Sequence, residues 1–267
     1  MRLTMLGTGN ATVTKCYNTC FGLSNDHGYF LIDAGGGNQI LRILEEENIP
    51  LQKVHDIFVT HGHTDHLLGV IWMIRMIGIK MARGFYERDL NIYCHKELHE
   101  AIETICNLTI WGNVTGLFGK RIHFVEIEDG QEYKILGCPV KFFDICSAKK
   151  KQFGFVLTTE NGTKLVCCGD EPLKPVCEIY AKECDWMLHE AFCLYEERDF
   201  FKPYEKHHST VKDACELAER LRVKNLLLYH TEDKNILCRK ERYMAEGIQY
   251  YSGRLYVPDD RESFEIV

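Results

Sequence analysis

Four ligand-type side chains fall within six residues at His61-Gly62-His63-Thr64-Asp65-His66. Three imidazoles and a carboxylate held this close would desolvate or repel one another without a cation. Imidazole nitrogen and carboxylate oxygen are the ordinary ligands of zinc and its neighbours. The run follows an apolar strand, Asp56–Thr60, and the two-residue step from His61 to His63 puts both rings on one side of an extended turn. Asp65 and His66 then enter a helix on a different face, so the motif can serve two metals rather than one. A polar loop with a chance histidine cluster is the alternative, and the ligand density disfavours it.

One loop cannot close two coordination spheres, so partners are needed at the ends of other strands. Asp170 ends Cys167-Cys168-Gly169-Asp170, where a buried strand meets a Gly turn and a carboxylate could bridge two metals. Its plain reading is a strand-end turn Asp. His230 ends the apolar run Leu226-Leu227-Leu228-Tyr229. Alone it would be a structural histidine; beside the first motif it reads as a ligand.

These residues need a scaffold, and the periodicity supplies one. Strands are expected at Leu3–Leu6, Thr19–Leu23, Tyr29–Ile32, Ile57–Thr60, Leu90–Tyr93, Ile122–Val125, Val140–Ile145, Phe153–Thr158, Lys164–Cys168, Trp186–Leu188 and Asn225–Tyr229. Helices are expected at Gln39–Glu47, Leu67–Met81, Lys96–Thr109, Val211–Leu221 and Arg239–Ala245, the fourth opened by a Thr210/Asp213 capping box. Interleaved strands and helices without repeat or linker suggest one α/β domain, residues 1–267, with helices outside. Trp72, Met73, Met76 and Ile77 form a core face, and their helix is apolar enough to offer a homodimer interface.

The 267 residues carry 45% hydrophobic side chains, 13 Cys and a formal charge of −7. Disorder, collagen and coiled coil are excluded by this composition. No run reaches the ~18 apolar residues of a membrane span, and the N-terminus lacks a signal-peptide core. Many cysteines with no C-x-x-C pair point to free thiols in a reducing cytoplasm. The acidic balance argues against a general nucleic-acid binder.

The strand-borne HGHTDH motif resembles the signature of the metallo-β-lactamase superfamily, and LTMLGTGNA and IDAGGGNQ resemble that fold's opening. Leu188-His189-Glu190-Ala191-Phe192, His208-Ser209-Thr210 and Tyr229-His230-Thr231 are similar to the later motifs of its ribonuclease Z branch. The resemblance covers most of the chain except about residues 81–133. It implies a four-layer αββα sandwich. It implies two divalent ions, zinc foremost with manganese or iron as alternatives. His61 and His63 would hold the first, Asp65, His66 and His230 the second, with Asp170 bridging. Asp65 thus counts among the catalytic residues, and Glu190 with His208 would form an acid relay at the leaving group. The implied chemistry is phosphodiester hydrolysis by a metal-bound hydroxide.

Two departures qualify this. The branch places a further histidine after the strand that precedes a Gly-aromatic pair; here the pair is Gly154-Phe155 and the nearest candidate is Cys146. Cys146 is either a thiolate ligand, at the ~2.3 Å zinc accepts, or a buried free cysteine beside a weak or absent first metal. The long arm with which the branch grips transfer RNA has no room between Cys146 and Asp170. The expected substrate is therefore a small molecule or short nucleic acid with a phosphodiester, not a full transfer RNA. Lys149-Lys150-Lys151 reads as a solvated hairpin tip sooner than a phosphate site. The same metal set could instead serve a non-phosphate ester, thioester or amide, or a catalytically weak metal-binding protein.

Overall fold

A computed structural model describes all 267 residues. Two seven-stranded sheets lie face to face. The first runs β14 (Ser263–Glu265), β1 (Arg2–Gly7), β2 (Cys20–Asn25), β3 (Gly28–Ile32), β4 (Val54–Phe58), β5 (Leu90–Cys94), β6 (Ile122–Glu126). The second runs β13 (Arg254–Tyr256), β12 (Asn225–Tyr229), β11 (Trp186–Glu190), β10 (Lys164–Cys167), β9 (Phe153–Thr158), β8 (Cys138–Asp144), β7 (Glu132–Ile135). Helices α1 (Gln39–Glu46), α2 (Thr64–Ala82) and α3 (Lys96–Thr109) cover the first sheet; α4 (Val211–Arg220) and α5 (Arg239–Gly247) cover the second. This is the expected αββα sandwich.

Strand alternation explains the layers. Phe21, Phe30 and Phe58 of the first sheet meet Phe142 and Phe155 of the second, all at most 1% exposed. Phe58 and Phe142 have ring centroids 4.7 Å apart. Each such side chain contributes about 1.5–3 kcal/mol by leaving water. The opposite faces of the same strands pack on the helices, so central strands such as Leu226–Leu228 are apolar throughout. The Thr210/Asp213 capping box opens α4, which buries Val211, Ala214, Cys215 and Ala218 as its periodicity requires.

Pairing directions matter for the site. β3, β4 and β5 are mutually parallel, as are β10, β11 and β12, and β8 runs with them because two antiparallel steps separate β8 from β10. Asp33, His61, Cys146, Asp170 and His230 therefore leave their strands at one end of the sandwich, where α/β sheets hold ligands. Backbone bonds stitch the sheets together there: Thr231 N donates to Thr8 O (3.0 Å), Asn10 N to Thr231 O (3.0 Å) and Phe153 N to Thr60 O (3.1 Å).

The structure adds strands β7, β13 and β14, which the sequence patterning does not signal; all are short and lie at or next to sheet edges. Helix α2 starts three residues before the predicted Leu67, so Asp65 and His66 form its first turn. Met73 and Ile77 are core as expected, but Trp72 is 38% exposed with Arg75 over its ring.

Candidate metal centre

His61 follows β4 and is buried, and His63 is the extended residue that caps α2. Its neighbours Asp65 and His66 are swung to the other side by the helix, as the spacing predicts. His61, His63 and Asp170 bring ligand atoms within 4.8 Å of one another, and Asp65, His66 and His230 form a second such group. Asp170 Oδ2 stands between them, 3.4 Å from His61 Nε2 and 3.7 Å from the Nε2 atoms of both His66 and His230. That is where a bridging carboxylate must lie.

The donors fit divalent cations. Asp65 Oδ2 and His66 Nε2 are buried 3.3 Å apart as an ion pair with no other hydrogen-bond partner, a pairing that a cation between them would replace. The far sides of the rings are already fixed. His66 Nδ1 donates to Asp33 Oδ2 at 2.7 Å. Thr60 Oγ1 also donates to Asp33 Oδ2 (2.7 Å) and lies 2.9 Å from His61 Nδ1, whose proton it can accept. One carboxylate thus orients a histidine of each group, the first directly and the second through a hydroxyl. His230 Nδ1 is 3.2 Å from Thr19 Oγ1, which donates to Gly9 O. Each ring so held keeps Nε2 for the metal side. Gln152, 1% exposed, brings its amide within 3.2 Å of His61 Nδ1.

Electrostatics follow from this crowding. Burial alone would raise the Asp65 and Asp170 carboxyls, but imidazoles outweigh it: His66 and His230 hold Asp65, and chiefly His61 holds Asp170, below the usual carboxylate range. Burial pushes His230 down to about 3. His66 moves the other way, because Asp33 and Asp65 overcome its burial and raise it well above 6.5. Metal binding must therefore displace a proton from His66.

Glu190, fully buried at the end of β11, accepts Ser209 N–H and O–H at 2.5 Å each through Oε1. Its Oε2 faces His208 Nδ1 at 3.5 Å, and neither atom has another partner. The His208 ring stacks on Phe192 and stands 5.2 Å from that of His230. Both members of the predicted relay therefore meet beside the second group.

Cys146 does not join the first group. It is exposed, not buried, and its φ of 57° turns the thiol toward the Asp144 carbonyl (3.9 Å) and the Cys177 side. The buried free cysteine of the sequence reading is therefore corrected to an exposed one, and neither donor group includes the thiol. Sequence reasoning also gave no role to Asp33, although it lies in the quoted IDAGGGNQ, nor to Thr60, Thr19 and Gln152, which carry no motif of their own. The strand-end position of Asp33, before the glycines of Ile32-Asp33-Ala34-Gly35-Gly36, is the one signal that could have pointed to it.

A cavity of about 550 Å³ opens over both groups, with Thr64, Lys149, Phe192 and His208 among its walls. A family described as "Anti-Pycsar protein Apyc1" matches residues 1–247 of the chain. Ribonuclease Z of Thermococcus sibiricus is 26% identical, with 100% of this chain and 96% of the relative covered. That alignment runs over 308 positions against a chain of 267, so the relative carries segments this chain lacks. Ribonuclease Z of Methanothermobacter thermautotrophicus is 28% identical over 86% of each chain. Among solved structures, the metallo-β-lactamase fold protein YhfI of Bacillus subtilis superposes with a TM-score of 0.79 at 15% identity, covering 98% of both chains. The short form of human tRNase Z gives 0.75 at 20% identity over the full length of both. The fold is that of the metallo-β-lactamases.

Proposed function

Because this chain belongs to the Apyc1 family of anti-Pycsar proteins and is a ribonuclease Z-like, metal-dependent hydrolase, we propose that it hydrolyses a small phosphodiester. The observation that carries this is the meeting of two donor groups on Asp170 with a Glu190–His208 pair at the same cavity. His61, His63 and Asp170 would hold one divalent ion and Asp65, His66 and His230 a second, Asp170 serving both. Zinc suits these nitrogen and oxygen donors, with manganese or iron as alternatives. When bound, such a pair polarises a phosphoryl oxygen and makes a water more acidic.

The chain's own residues do the rest. Asp33 keeps the rings in register through His66 and Thr60. Glu190, anchored by Ser209, fixes His208 with its Nδ1 proton inward, so that Nε2 faces the cavity. Hydrolysis exchanges one ester P–O bond for a bond to water oxygen, and the departing alkoxide needs a proton. His208 Nε2, oriented by a carboxylate, is placed to take up the proton that the attacking water loses and to pass it to that oxygen. The surrounding cavity is of small-molecule size, within the roughly 300–1,000 Å³ typical of such sites. The smallest nucleoside phosphodiester is a cyclic mononucleotide, whose phosphate is esterified twice to one ribose, and this class fits the space better than a folded RNA. Thirteen free thiols support action in a reducing cytoplasm, and no helix is long and apolar enough to cross a membrane. The proposal treats residues 1–267 as one domain.

The test offers zinc-loaded protein an activated bis-aryl phosphodiester, a panel of cyclic mononucleotides, and a precursor transfer RNA. Hydrolysis of the small diesters without cleavage of the RNA is expected, and His208→Ala should lower kcat by about 100- to 10,000-fold while metal content stays at about two per chain. No diesterase activity at full metal content would sink the reading.

A further inference from the structure

The three lysines between β8 and β9 do not share one environment. Lys150 and Lys151 are exposed, but Lys149 is half-buried and lines the cavity over the donor groups. Its Nζ lies 3.3 Å from His208 Nε2. An ammonium offers donors and no lone pair, so Nε2 accepts and Nδ1 carries the imidazole proton toward Glu190. The solvated hairpin tip expected from sequence holds for the second and third lysines only.

The loop is fastened so as to deliver this cation. Glu171, 1% exposed and next in the chain to Asp170, accepts Ser147 O–H at 2.6 Å with one oxygen and Ala148 N–H at 3.1 Å with the other. Ser147 Oγ in turn accepts the Lys149 N–H at 3.2 Å. Holding a hairpin tip still costs conformational entropy, and a buried carboxylate making charge-assisted bonds offsets it. Around the cavity, Asp65, Asp170 and Glu205 would repel a phosphodiester anion. Lys206, the other lysine of the wall, has its Nζ over the Phe192 ring at 4.8 Å.

We propose that Lys149 is a phosphoryl-binding residue of this site. Its ammonium rests on His208 Nε2 and moves to a non-bridging oxygen of the substrate phosphate. That exchange of hydrogen bonds breaks no covalent bond and frees the Nε2 lone pair, which takes up the proton the attacking water loses and passes it to the leaving oxygen. The assignment rests on the phosphodiester reading above, which names the reaction but no residue that grips the phosphate.

Lys149→Met, Lys149→Arg and Lys150→Met are compared in the zinc-loaded protein, with zinc content and thermal midpoint confirming intact folding. One readout is kcat/KM on an activated bis-aryl phosphodiester; the other is calorimetric affinity for inorganic phosphate, which needs no turnover. Lys149→Met should lower both by about 10- to 100-fold, the worth of one hydrogen bond to a charged group. The loss in kcat/KM should fall mainly on KM, Lys149→Arg should regain most of it, and Lys150→Met should stay within about twofold. Equal phosphate affinity in Lys149→Met and Lys150→Met would overturn the assignment even if the enzyme is active. A wild-type protein that hydrolyses no diester, yet binds phosphate through Lys149, would overturn the substrate reading and keep the lysine's role.

Discussion

Asp33 decides more of the metal chemistry than any ligand alone, because both of its oxygens accept. Oδ1 takes the Thr60 N–H at 2.8 Å, and Oδ2 takes the Thr60 hydroxyl and His66 Nδ1. An amide cannot replace it, since its NH₂ would face one of these donors whichever way it turned. Asp33→Asn should therefore weaken zinc binding by about 10- to 100-fold, measured by competition with a chelator. Cys146→Ala, by contrast, should leave both zinc stoichiometry and diesterase rate unchanged, because the thiol belongs to neither donor group; a lost equivalent of zinc would reverse that conclusion. The six candidate histidine and carboxylate ligands were legible because type and local spacing carry their meaning. Asp33 and Thr60 were not, because their roles come from hydrogen bonds between segments far apart in the chain, and Lys149 was weighed as a phosphate site but ranked below a solvated tip for the same reason. Cys146 was read as buried, but it stands exposed at the strand end with a left-handed φ that its residue type does not announce.

Helix α2 joins the ligands to the sheet, and its fit depends on one glycine. Gly69 N donates to Gly35 O at 2.8 Å, and Ala34 N donates to His66 O at 3.2 Å, so the first turns of α2 lie directly on the segment after Asp33. A Cβ at Gly69 would come within 1.8 Å of the Ala34 carbonyl oxygen. Backbone cannot yield as a side chain can, so Gly69→Ala must push α2 outward. We expect a loss of about 1–3 kcal/mol in chemical unfolding. Zinc affinity should fall too, because Asp65 and His66 move with the helix while Asp33 does not. Normal zinc binding in a destabilised variant would show that the helix tilts elsewhere. At this scale the long elements were readable from period alone: β9, β12 and α3 have the predicted limits, and most others shift by a residue or two. The short strands β7, β13 and β14 were not readable, since three or four half-exposed residues leave no alternation to detect.

Across the whole molecule, the buried histidines set a pH profile that metal should change. His230, held at about 3 by burial, and His189, lowered chiefly by burial, stay neutral in the folded chain while the unfolded chain protonates them near 6.5. Below that pH the unfolded state binds more protons, so stability falls with acid. For His230 alone the loss reaches about 2 kcal/mol at pH 5. His66 has the opposite sign: raised above 6.5 by Asp33 and Asp65, it favours the folded state below 6.5 and loses that contribution as pH rises through its folded value. Together they place the optimum of the metal-free chain near pH 6.5, with decline on both sides. Zinc removes the alkaline decline, because a ligated His66 is neutral anyway, and each bound ion adds about 2.7 kcal/mol at a hundredfold excess over its Kd. The acid decline becomes steeper, since protons then compete with the metal for every ligand. It also moves the formal charge from −7 toward neutrality, easing the repulsion of an acidic chain and an anionic substrate. Urea unfolding of stripped and zinc-loaded protein between pH 5 and 8.5 separates these terms. Identical pH profiles would mean that zinc does not engage the buried histidines at all.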